Sequence, residues 1–355
     1  MINQKGKKMK ARYALIPEKE SCEIREEEID PGTLKPDELL VRTEFSMVSA
    51  GTELAAFRAI SPGVYKKGSW NAYPWRPGYG LVGEVLQAGS ALSGYHPGSR
   101  VFCFGRHASL QKWQLDLERE DPFRSAFQVS TAISSERAAA SRMGLIGIAA
   151  SQVSGVMAGE TVAVFGLGMV GNLAAQFYKE AGARVIGLDP VKMRCEMAEK
   201  VGIRQVYAVP PEDQVAALLD VTHGRGVDVA VDAVGDSRVI RSCVFGVREG
   251  GKVVLLGSPR APVEGNLTEI FRRVHLKCIR IMGAFEWRLP AYPEDGNKGS
   301  IRENLELIWK WAESGRLDIL GLITHVVKPE GLEGAYFGLI HKKEEYLGVL
   351  VDWRE

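Results

Sequence analysis

The chain is poor in the features that would commit it to a metal cluster, a disulfide scaffold, a membrane or a nucleic acid. Its 355 residues include only five cysteines, Cys22, Cys103, Cys195, Cys243 and Cys278, each standing alone without a CxxC pair. That scatter argues against a zinc cluster and against a disulfide framework, and fits free thiols in a reducing compartment. No apolar run approaches the roughly 18 residues of a membrane helix, and the polar stretch Met1–Lys10 lacks the apolar centre of a signal peptide. The formal net charge is +1, and no basic block rises above an ordinary solvated surface; neither a nucleic acid nor an anionic membrane is expected as a partner. A cytoplasmic protein is expected. Lys5–Lys10 reads as a disordered extension, with Met1 and Met9 both open as the native start.

What the chain does have is a strand-to-helix fingerprint. Residues 161–171 form an apolar run opening into Gly166-x-Gly168-x-x-Gly171, followed by a helical stretch over Asn172–Ala181. Gly166 permits the tight turn, Gly168 lets backbone approach a pyrophosphate, and Gly171 lets helix and strand pack closely. The first helical residues, Met169 and Val170, would offer their N–H groups to the phosphates at the positive end of the helix. A second apolar run ends in Asp189, whose carboxylate suits ribose hydroxyls and repels a 2′-phosphate. NAD is therefore the expected cofactor rather than NADP, with Lys192 a further contact.

With 45% hydrophobic and 25% charged residues, the chain can bury two cores. From residue 161 onward, the runs Thr161–Phe165, Arg184–Leu188, Gln205–Val209, Val227–Ala233, Lys252–Leu256 and Leu276–Met282 read as strands alternating with helices. That alternation predicts a doubly wound parallel sheet. The N-terminal part offers short strand-like runs, Glu38–Thr43, Gly83–Ala88, Arg100–Phe104 and Leu110–Leu115, and predicts a β-rich, barrel-like domain. Beyond residue 284, one helix (Ile301–Glu313) and a few strands are too little for a third core and are expected to return to the first domain. The fold class is α/β, with a nucleotide domain over 144–283 and a substrate domain over 1–143 and 284–355.

The order of these parts, together with Pro77-Gly78-Tyr79-Gly80-Leu81-Val82-Gly83, Gly98-Ser99-Arg100-Val101, Gly226-Val227-Asp228, Gly250-Gly251-Lys252-Val253 and Leu322-Ile323-Thr324-His325, resembles the medium-chain dehydrogenase/reductase superfamily. Ser49-Ala50-Gly51-Thr52-Glu53 is similar to a branch containing bacteriochlorophyllide hydroxyethyl dehydrogenases and sugar-linked oxidoreductases. The resemblance implies a GroES-like substrate domain, a Rossmann NAD-binding domain, and a homodimer or higher homo-oligomer. It also implies that the turn Leu256-Gly257-Ser258 contacts the nicotinamide carboxamide, and that Asp232 and His325 are structural.

The departures from the zinc enzymes of that superfamily matter equally. Ala50 stands where they place a cysteine ligand, Tyr79 and Gly80 replace a His-Glu pair, and the third ligand position falls near Ser141; the usual four-cysteine lobe is missing. None of Ala50, Gly80 or Ser141 is a usual Zn²⁺ ligand, so no metal is expected. Without a Lewis acid, side chains must handle the substrate proton. Four are candidates: Thr52, which otherwise caps a helix beginning at Glu53; Glu53, which otherwise complements a helix dipole; Tyr79, which otherwise packs on a strand; and His107, which otherwise is a loop residue. Tyr65, Trp70, Tyr73 and Trp75, interleaved with Lys66, Lys67, Ser69 and Asn71, suit a sugar or cyclitol ring, or else form a rigid surface loop or dimer contact. The expectation is a zinc-independent oxidoreductase moving a hydride between NAD(H) and a secondary alcohol or ketone, on a small sugar, polyol or cyclitol. The alternatives are an NAD(P)H-dependent reductase of quinone- or enoyl-type C=C bonds and a non-catalytic nucleotide-binding protein.

Overall fold

A computed structural model describes residues 7–119, 121–296 and 299–355. Six strands build the nucleotide sheet in the order Gln205–Tyr207, Arg184–Leu188, Thr161–Phe165, Val227–Asp232, Val247–Leu255 and Arg280–Gly283, all pairing parallel. The winding reverses between the third and fourth strands, and at such a switch point the carboxyl ends of the strands open a crevice for a ligand. Val162–Phe165 are fully buried because helices cover both faces of this sheet. Apolar β-branched runs are favoured there, each such side chain contributing roughly 1.5–3 kcal/mol by burial.

The substrate domain is built on a seven-stranded sheet ordered Ile323–Val327, Gly348–Asp352, Glu38–Met47, Leu81–Ala88, Arg100–Cys103 and Ala126–Gln128, with Leu110–Gln114 pairing beside Glu38–Met47. Its first two strands come from the C-terminal end of the chain. Between the two sheets runs the helix Ser135–Ser154, started by the Ser134 hydroxyl, which accepts from the Arg137 N–H. Ala138–Ala140, Met143 and Ile148 pack in the core shared with Ile301–Glu313, while Ala149 and Ala150 pack in that of the nucleotide sheet. The 143/144 division thus falls inside one helix that serves both bodies.

Two local expectations are corrected. Leu276 ends a helix, Leu267–Leu276, rather than opening a strand, and the last strand begins only at Arg280. The Asn266 side chain accepts from the Glu269 N–H and starts that helix, which a short apolar run alone does not reveal. Met9 and Lys10 lie within the strand Met9–Leu15, held by antiparallel pairing with Glu23–Ile29, and are not an extension; Lys5 and Gly6 lie outside the described residues. Among the described residues no helix is long and apolar enough to cross a membrane.

Candidate functional site

The expected cofactor cradle lies at the carboxyl ends of the strands. Gly166 has φ +92°, and a Cβ on Gly171 would lie 1.9 Å from the Gly166 carbonyl oxygen, so both are required by the turn itself. Gly168 differs: its φ is −57° and a Cβ there would meet nothing within 4 Å. The protein's own packing does not call for glycine at 168, whereas close approach by a ligand's pyrophosphate does. Gly168 is also the N-cap of Met169–Glu180 and no side chain caps that helix, which leaves the N–H groups of its first turn, including Met169 and Val170, to an anion. These residues fit a dinucleotide.

Asp189 is buried and already engaged, Oδ2 accepting from the Leu167 N–H at 2.7 Å and Oδ1 from the Val191 N–H at 2.8 Å. It therefore ties the glycine loop to the second strand. Arg194, which sequence reasoning overlooked, lies 3.5 Å from it with its Nε buried and unpartnered. Lys192 opens the helix Lys192–Lys200, its ammonium 3.4 Å from Glu196 and its backbone N–H donating to Glu344. Leu256 and Gly257 donate their N–H groups to the Asp232 carbonyl at 3.0 and 2.8 Å, pinning the turn before exposed Ser258 against the neighbouring strand end. The Asp232 carboxylate accepts from the Val234 and Gly235 N–H groups, yet burial raises its pKa to about 6.

Across the crevice, Tyr79 follows the Pro77-Gly78 turn and meets the start of the helix Ala50–Phe57. Its phenol contacts the Ser49 hydroxyl and donates to Thr52 Oγ1 at 3.3 Å. Ser49, the N-cap, makes no side-chain cap, so its hydroxyl is left for Tyr79. Thr52 lies within the helix, which begins at Ala50, and its capping role is corrected: the hydroxyl faces Tyr79 and accepts from Arg260 Nη2 at 3.1 Å. Arg260 reaches over from the nucleotide domain, two residues beyond Ser258, and Nη1 donates to the Gly51 carbonyl at 3.0 Å.

Glu53 and His107 stand apart from this group, wholly buried and bound to each other, with Nε2 to Oε2 at 3.0 Å. The same carboxylate accepts from Tyr336 OH at 2.6 Å and from the Ser49 N–H at 2.8 Å, and His107 Nδ1 meets Ser46 Oγ at 2.7 Å. Burial alone would raise the Glu53 pKa; the His107 charge and the hydrogen bonds from His107, Tyr336 and Ser49 more than offset it and hold the group below its ordinary value. In turn, burial and the Glu53 charge push the Tyr336 phenol well above its usual range. This cluster fastens the helix start, the Gly78 turn and the last helix together.

The positions matching zinc ligands do not fit a metal. Ser141 donates to its own helix at Arg137 O, 2.9 Å away, and Ala50 and Gly80 offer no donor atom. A Cβ on Gly80 would lie 2.6 Å from Arg142 Cγ, so the loss of a side chain at 80 admits the stem of Arg142. That buried guanidinium packs 4.5 Å from the Tyr79 ring centroid and 4.8 Å from that of Trp287, and Nη2 donates to Glu286 at 2.6 Å. Nothing in the sequence flagged Arg142, Glu286 or Arg260, since an arginine next to a ligand-equivalent serine carries no motif. Among the described residues no three His, Cys, Asp or Glu side chains converge as a metal site.

The aromatic loop is largely self-contained. Asn71 and Ser69 bond each other, Asn71 also donates to Ser61, Tyr73 OH donates to the Ala56 carbonyl, and Trp75 is buried. Only Tyr65 and Trp70 present faces to solvent.

Comparison with known proteins matches residues 169–297 to the zinc-binding dehydrogenase family. The chain is 26% identical to the D-guloside 3-dehydrogenase of Escherichia coli, over 84% of this chain and 88% of that one. It is 27% identical to the 2-desacetyl-2-hydroxyethyl bacteriochlorophyllide A dehydrogenase of Cereibacter sphaeroides, over 90% and 91%. A Sinorhizobium meliloti chain solved with NADP bound shares the fold at a TM-score of 0.74 and 20% identity, over 97% of this chain and 99% of that one.

Proposed function

From the chain's membership of the medium-chain dehydrogenase/reductase superfamily, as an oxidoreductase, we propose that it interconverts a secondary alcohol and a ketone with NAD(H) and without zinc. The observation that carries this reading is the Tyr79 phenol, held by Ser49 and Thr52 at the crevice opposite the glycine loop. The bound nicotinamide supplies or accepts the hydride. As the phenolate, Tyr79 takes the hydroxyl proton in oxidation, and as the phenol it returns that proton in reduction, while Thr52 and Ser49 orient its oxygen. Arg260 Nη2 donates to the same Thr52 hydroxyl from the other domain. Glu53 and His107 position the helix start and do not touch the substrate.

NAD is favoured over NADP by two carboxylates. Asp189 closes the second strand, and Glu344 accepts from the Lys192 and Met193 N–H groups at the same helix start, against the single guanidinium of Arg194. A sugar, polyol or cyclitol substrate rests on the likeness to the guloside enzyme and on the exposed Tyr65 and Trp70. The five free cysteines suit a reducing compartment such as the cytoplasm. A second copy of the chain is the natural cover for the sheet edge Arg280–Gly283, which pairs on one side only among the described residues and is flanked by exposed Leu267, Phe271, Leu276, Ile281 and Phe285. The test is a panel of polyols and sugars followed by NADH formation; a panel turned over only with NADPH and activated alkenes would select the C=C reductase instead.

A further inference from the structure

Arg142 packs on Tyr79, Arg260 shares a hydrogen-bond partner with it and Arg106 bonds the residue before it, and the carboxylates nearby are already spent. Arg142 packs on the ring and is paired with Glu286. Arg106 donates to the Gly78 carbonyl at 3.0 Å and lies against the Phe123 ring. Arg260 donates to the Gly51 carbonyl and the Thr52 hydroxyl. Glu53 is bound to His107 and Tyr336. Both direct partners of Arg260 are therefore neutral, and so is the hydrogen-bond partner of Arg106. Burial pulls both guanidiniums below their ordinary pKa, and neither is hydrogen-bonded to a carboxylate; at Arg106 the Glu53 charge opposes the shift without cancelling it.

Arg260 is half-buried and shares the Thr52 hydroxyl with the Tyr79 phenol, so it lies one side chain from the proposed reacting oxygen. The cofactor's pyrophosphate already has donors at the start of Met169–Glu180, whereas Arg260 points at the opposite domain. We propose that Arg260 is a specificity residue for an anionic oxygen group, carboxylate or phosphate, carried by the substrate close to its reacting carbinol. The proposal rests on the reading of the Tyr79 crevice as the substrate site. Arg106, bonded to the Gly78 carbonyl, adds a longer-range positive charge. A planar guanidinium suits either oxyanion, and both of its present neutral acceptors, the Gly51 carbonyl and the Thr52 hydroxyl, are weak competitors for it.

The test is calorimetric titration of the NADH-loaded protein with gluconate, sorbitol 6-phosphate and sorbitol. At least one anion is expected to bind about tenfold or more tightly than sorbitol, as a charge-assisted hydrogen bond supplies. Which anion wins identifies the group as carboxylate or phosphate. Arg260→Met should abolish the preference and Arg260→Lys should keep part of it. If Arg260→Met fails to fold, wild-type protein decides: anion binding should weaken with added salt and sorbitol binding should not. Equal affinities for the three probes, no binding by either anion, a preference that survives Arg260→Met, or a loss confined to NADH affinity would each overturn the proposal. Tyr79-dependent turnover of neutral polyols alone would overturn it while leaving the dehydrogenase reading intact. Anion binding without any hydride transfer would do the reverse.

Discussion

The guanidinium carbon of Arg142 lies 4.5 Å from the centre of the Tyr79 ring, its stem filling the space beside Gly80. The buried cation packs on the phenol ring and is paired with Glu286 at 2.6 Å.

Breaking that pair should be costly. Arg142→Met leaves the Glu286 carboxylate without its counter-charge and is expected to destabilise the protein by about 3–5 kcal/mol, as is usual for one half of a buried ion pair. Adding Glu286→Gln should recover a large part. Denaturant midpoints of the two single variants and the double variant check this; additive losses would show that the two side chains do not act as a pair.

Acid stability should report on Glu53. Its pKa is depressed in the folded protein, so its contribution is complete above the ordinary glutamate range and is lost as pH falls through the depressed value. Glu53→Gln is expected to lower stability at neutral pH by roughly 3 kcal/mol and to flatten the acid limb of the stability profile. An unchanged acid limb would place the titration elsewhere.

Cofactor choice should follow the carboxylates at the adenosine end. NAD(H) is expected to bind at least about tenfold more tightly than NADP(H), one extra repulsive contact being of that order. Asp189→Ser should narrow the gap, although it also releases the Leu167 and Val191 N–H groups. Fluorescence titration with both reduced cofactors measures it; tighter NADPH binding by the wild type would mean that Arg194 governs the site.

The nucleotide half was legible because its signals are local. Strand Thr161–Phe165, the glycine turn and Asp189 follow one another within one βαβ unit, and hydrophobic period plus glycine spacing suffice to place them. The Tyr79 side of the crevice was legible only in part. Tyr79 and Thr52 were singled out through their positions in a motif and do lie together, but the separate pair of Glu53 and His107 could not be told from them, because that pairing spans 54 positions in sequence. Arg142, Glu286 and Arg260 were invisible for the same reason: an isolated arginine is a surface residue by default until the packing shows it buried. Leu276 was read as opening a strand because it ends its helix exposed to solvent, while Ile270 and Val274 of the same helix pack on the core.

Assembly should depend on that same face. Phe271→Glu places a charge on an exposed apolar helix side beside the sheet edge and is expected to convert an oligomer to a monomer without loss of helical signal. Light scattering of the wild type and the variant decides; a wild type that is already monomeric would leave the apolar face to another partner.

The central claim is that Tyr79, and not a metal, moves the substrate proton. It is tested most directly by measuring kcat of wild type and Tyr79→Phe after exhaustive chelation, on a polyol or sugar that the wild type oxidises. Wild-type turnover should survive chelation with well below one zinc per chain, and Tyr79→Phe should be slower by roughly 10²-fold or more with unchanged NADH affinity. Wild-type activity that vanishes with the chelator and returns with zinc, alongside normal turnover by Tyr79→Phe, would contradict the account.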